Sequence, residues 1–160
     1  MIWLNITALE SKITANELSE KDGFNYVLAY FILSSVLMAT MSNDSSALIK
    51  LLNAVVSVVV LLWGLHACYT VNNENDGKDF LKRFFAISWV IGLRILLAIV
   101  VVSFVSALVF GILTGNQGFN NWETNPVKEL VYLVFTATIN VIMYLMVINS
   151  FRNIKSKPQI

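Results

Sequence analysis

Four long apolar runs separated by short polar stretches set the plan of this chain. The runs cover 24–41, 47–71, 84–114 and 130–151. A helix crosses a hydrocarbon core of about 30 Å with roughly 20 mostly apolar residues, because each residue rises about 1.5 Å. Each run is near that length or beyond it. Strands are excluded, since a membrane barrel is built from shorter alternating segments and lipid offers no partner to an open sheet edge. The breaks carry turn chemistry: Ser42 to Ser46 supplies helix N-caps, Asn72 to Gly77 ends one helix and starts the next, and 115–126 is expected to be a longer polar loop. The predicted fold is all-α. It is a polytopic membrane protein with a four-helix transmembrane bundle over 24–151, an N-terminal amphipathic interfacial arm over 1–23 and a short basic tail over 152–160.

Within the arm, Ile2, Ile6, Leu9 and Ile13 recur at helical spacing, with Asn5, Glu10, Lys12 and Asn16 elsewhere. Such a helix is too short and polar to span. It is expected to lie along the cytoplasmic interface or to pack against a partner. Asn5-Ile6-Thr7 fits the N-glycosylation triplet, but three-residue matches arise often by chance and the arm is placed on the cytoplasmic side.

Composition fits the same class. The 160 residues are 57% hydrophobic and 13% charged, where a soluble domain has about 45–50% apolar and about 25% charged residues. The net charge of +1 provides no field for nucleic acid. A single cysteine, Cys68, excludes an intrachain disulfide and a multi-cysteine metal site. The first residues lack the pattern of a secretory signal, so the amino terminus is expected to be mature. Lys12, Lys21, Lys78, Lys82, Arg83, Arg152, Lys155 and Lys157 fall on one side of an even number of spans, against Lys50 and Lys128 on the other. By the retention of basic residues, both termini and the central loop are expected in the cytoplasm of a bacterial-type inner membrane.

The third run is too long for one crossing: about 30 residues reach about 45 Å as a helix. Two registers follow. If the membrane portion begins near residue 95, Arg94 snorkels to the headgroups and 84–93 lies at the interface. If the helix enters near Phe84, Arg94 lies about 15 Å deep and must face the bundle or a wet cavity. Arg94, His66, Asn53 and Asn140 are thus the candidate intramembrane polar or pore-lining residues, with interhelical hydrogen bonding the ordinary role for the two amides. Ser103, Ala107 and Gly111 form a small-residue stripe suited to close helix packing, and Ser88 and Gly92 share its spacing. Lys78, Lys82 and Arg83 are candidates for docking a cytoplasmic partner. Asp76 is a candidate N-cap for the third run's helix.

The chain has no phosphate-binding glycine loop, zinc-protease motif or nucleophile elbow, and every acidic residue lies outside the runs. No catalytic residue, metal or cofactor is expected. The leading expectation is a non-enzymatic membrane subunit of the accessory, immunity or defence type. Its expected partners are the lipid bilayer and either further copies of itself or a membrane or cytoplasmic protein. The alternative is an oligomeric ion channel or pore lined by the polar residues of the spans.

Overall fold

The computed structural model describes residues 2–40, 47–123 and 127–156. Its regular elements are all helices: α1 Ile6–Thr14, α2 Glu20–Thr40, α3 Ala47–Asn75, α4 Phe80–Glu123 and α5 Val127–Ser156. Three stretches among the described residues are long and apolar enough to cross a membrane, Ala47–Asn75, Phe80–Val109 and Glu129–Ile154. The run expected over 24–41 is not among them. Glu20, Lys21 and Asp22 open its helix, and its side chains are described only as far as residue 35.

Helix ends follow local chemistry. Asn5 caps α1, its side-chain oxygen accepting from the Ala8 N–H at 3.0 Å. At the other end Asn16 turns left-handed with φ 57°, and the Glu17 N–H reaches back to the Lys12 carbonyl. Ser19 caps α2 through the Asp22 N–H. Asp76 does not cap α4, which begins later than expected. Its carboxylate accepts from the Lys78 N–H in a tight turn, while Gly77, at φ 64°, bonds back to the Asn72 carbonyl. The polar loop expected over 115–126 is largely absent too, because α4 continues unbroken to Glu123. Its glycines and asparagines are poor helix formers but not stops. The expected N-caps Ser42 to Ser46 and the tail beyond residue 156 lie outside the described residues.

Packing pairs helices that run parallel. On α3 and α5, Asn53 lies opposite Tyr132, Gly64 opposite Tyr144, and Asn75 opposite Phe151. α2 runs beside α4 in the same way, with Gly23 against Lys82 and Tyr30 against Phe85. Among the described residues α3 and α4 meet only near the turn that joins them, as where Tyr69 lies on Phe80. α4 and α5 join the two pairs.

The core gathers at one end. Between Arg83 and Ile91 only Phe85 of α4 is not fully buried, and around this stretch lie Leu9 and Ile13 of α1, Tyr26 of α2, Cys68 of α3, and Val147 and Phe151 of α5. An apolar helix surface on every side calls for neighbours on every side. The stretch that one of the two registers places at the interface is therefore the centre of the fold. The arm's apolar face is likewise used within the chain, because Leu9 and Ile13 pack into this core. Beyond it the picture reverses. From Leu97 to Val109 every α4 side chain except Ile99 is exposed, which suits lipid and leaves this stretch uncovered by the described residues.

Candidate functional site: a polar groove between α3 and α5

Away from the packed end, the first turns of α3 and α5 leave a cavity of about 290 Å³. Lys50, Asn53 and Ser57 enter it from α3, and Tyr132 from α5, between walls that include Ile49 and Leu133. The α3 residues converge because spacings of three and four place side chains on one helical face. This same face continues toward the core as the seam with α5. Gly64 lies there against the Tyr144 ring so closely that a Cβ would overlap the ring carbons. Asn140, one helical turn before Tyr144, shares that side of α5 and is half-buried.

The two embedded amides therefore both belong to the α3–α5 side of the molecule. The interhelical hydrogen bonds expected of them are not made: neither the Asn53 nor the Asn140 side chain has a hydrogen-bond partner among the described residues. Lys50 likewise has no ion pair among them. Among the described residues the groove thus presents one cation and three neutral polar groups, with no acidic side chain in its lining.

No family model, curated protein or solved structure matches the chain.

The other expected site residues lie apart from this groove. His66 is exposed on α3. Arg94 is exposed where the packed stretch of α4 ends, and its Nε–H donates to the Leu4 carbonyl at 2.7 Å. Residues 2–5 are not helical, so that carbonyl has no helical partner and the guanidinium supplies one. The four polar candidates are not brought together into one path within the chain. Among the described residues no group of three or more His, Cys, Asp and Glu could hold a metal.

The cytoplasmic docking candidates divide. Arg83, only 4% exposed, forms a two-pronged ion pair with Asp76 at 2.6 and 2.8 Å and reaches Asn72. Lys82 binds Glu20 at 2.7 Å and Asp79 at 2.9 Å. Both charges are engaged inside the molecule, and Lys78 alone of the three is exposed. Arg83 holds the Asp76 carboxyl below its ordinary value by hydrogen bonding, and Lys12 does the same for Asp22. The small-residue stripe divides as well. Ser103 and Ala107 are exposed, with Gly111 described only as helical backbone, while at Gly92 an added Cβ would meet nothing within 4 Å.

Sequence reasoning missed the features that tie the arm down. The Tyr26 hydroxyl accepts from the Ile2 N–H at 2.7 Å and donates to the Ile2 carbonyl at 3.1 Å. Trp89 is buried with its ring 5.7 Å from that of Trp3. Glu10, 5% exposed, accepts from the Ser150 hydroxyl at 2.8 Å. Glu10 stands outside the apolar face of α1 by periodicity, and nothing local announced its burial.

Proposed function

We propose that this chain is a non-enzymatic subunit of a membrane assembly, joined to further copies through the free half of α4. One observation carries this reading: Ser103 and Ala107 are exposed on a helix surface that none of the described residues covers. Apolar association has little drive in lipid, so helices join where small residues allow close van der Waals approach. In this reading α2 makes a fourth crossing. The arm, the α3–α4 turn and the end of α5 then face the cytoplasm of a bacterial-type inner membrane, and Lys78 offers a contact to an accessory, immunity or defence partner.

Native mass spectrometry of the full chain in a mild detergent tests the assembly. The expected result is an oligomer for the wild type and a monomer for Ala107→Leu, whose larger side chain blocks close approach. A monomeric wild type would overturn the reading. The rival is an oligomeric channel, favoured by the unpartnered amides of Asn53 and Asn140. Conductance across a planar bilayer containing the purified protein, altered by Asn53→Leu, would decide for it.

A further inference from the structure

The groove between α3 and α5 gathers several donors around one positive charge, with no carboxylate among its described lining residues. A lysine ammonium brings three donors and no acceptor, and the Asn53, Ser57 and Tyr132 side chains each add at least one more. In apolar surroundings such groups are costly unless an occupant meets them. Among the described residues, Lys50 has no ion pair and the Asn53 amide no hydrogen-bond partner. The complement is an anion with several acceptor oxygens. A phosphate fits that description, because ionic hydrogen bonds to its oxygens are about twice as strong as neutral ones. The positive N-terminal ends of α3 and α5 lie at the same end of the molecule and add to the attraction.

The groove's surroundings select the source of that phosphate. Leu48, Leu51, Leu52 and Val55 on α3 and Val131 and Phe135 on α5 are exposed beside it, so an occupant meets lipid rather than water along its flanks. A volume of about 290 Å³ lies at the small limit of pockets for drug-sized molecules, about 300–1,000 Å³, and suits a headgroup rather than a whole lipid. The groove also lies within the first turns of two apolar helices of membrane-spanning length, at the depth where headgroups begin.

We infer that this groove is a binding site for the phosphate-bearing headgroup of a phospholipid, with Lys50 as the charged contact, Asn53, Ser57 and Tyr132 as hydrogen-bond donors, and the acyl chains lying along the exposed flanks of α3 and α5. The site is separate from the α4 surface assigned to assembly.

The test uses the full chain in dodecyl maltoside, a detergent without phosphate. Short-chain phosphatidylglycerol, short-chain diacylglycerol and inorganic phosphate are each titrated, with binding read by native mass spectrometry and by the shift in melting temperature. Phosphatidylglycerol is expected to bind, to raise the melting temperature and to lose about tenfold or more in affinity in Lys50→Gln, since one charge-assisted contact is lost. Lys50→Arg, which keeps the charge, is expected to retain most of the affinity. Neither side chain is bonded among the described residues, so the unliganded melting temperature of Lys50→Gln and Asn53→Leu should equal or exceed the wild type's. Equal binding of diacylglycerol, or unchanged affinity in both Lys50→Gln and Asn53→Leu, would overturn the site. Binding of inorganic phosphate as tightly as the lipid would overturn the headgroup assignment. The same spectra report oligomeric state, so failure of this site and failure of the assembly reading are seen separately.

Discussion

At single residues, the sharpest constraints are steric and electrostatic. Gly64 faces a tyrosine ring that cannot swing away without leaving the α3–α5 seam. Gly64→Ala should therefore destabilise by about 1–3 kcal/mol, the usual cost of overpacking. Gly92→Ala adds its methyl to open space and should be neutral or stabilise by up to about 1 kcal/mol through helix propensity. Melting of the two purified variants side by side checks the contrast. The Asp76–Arg83 pair gives a second constraint. The carboxyl is held below its ordinary value of 3.8, so the pair's contribution is complete above that value and is lost as pH falls through the depressed folded one. Asp76→Asn should cost about 1–3 kcal/mol near neutral pH, because Arg83 keeps a buried charge with one partner fewer. It should also flatten part of the acid limb of a melting-temperature profile. Asp22, lowered by Lys12, titrates in the same direction and accounts for some of what remains. An acid limb identical to the wild type's would remove Asp76 from this role.

At the level of elements, the arm and the first half of α4 form one unit. Leu9 is fully buried, and Leu9→Ala should cost about 2–5 kcal/mol if the cavity persists. Arg94→Ala should act more locally. Without the guanidinium the Leu4 carbonyl loses its partner, and amide exchange over residues 2–5 should quicken while α2 to α5 keep their protection. General exchange throughout the chain in that variant would mean that Arg94 supports the bundle rather than the arm. This unit was partly legible. The periodicity of Ile6, Leu9 and Ile13 gave the helix and its buried face, because burial on one side leaves a 3.6-residue pattern. It could not give what the face packs on, since lipid, a partner and α4 are all apolar. The stretch from Phe84 to Ile91 was harder still. A helix apolar on every side reads alike whether lipid or protein surrounds it, so the core of the fold resembled one more membrane span. The groove was half legible. Lys50 and Asn53 are conspicuous in an apolar run, but Tyr132 joins them only through the parallel pairing of α3 with α5, which loop lengths do not announce.

For the whole molecule, cohesion is uneven. The arm, the α3–α4 turn and the end of α5 are tied together by Lys82 to Glu20, Glu10 to Ser150 and Asn75 to the Phe151 carbonyl. The exposed half of α4 has no such ties. Hydrogen exchange in detergent should therefore show strong protection at 83–91 and 144–154 whatever the state of assembly, and at 97–109 a protection that is weaker in Ala107→Leu than in the oligomeric wild type. Equal protection at 97–109 in the two proteins would count against assembly through that half. The unbroken length of α4 adds a mechanical consequence. It works as a lever clamped at one end: Arg94 to Glu123 is about 40 Å of rigid rod, so a tilt of about 10° at the clamp swings the far tip by roughly 7 Å. A small adjustment where the arm seats, too slight to disturb the contacts around Leu9, is magnified into a movement wider than a side chain at the far end of the helix.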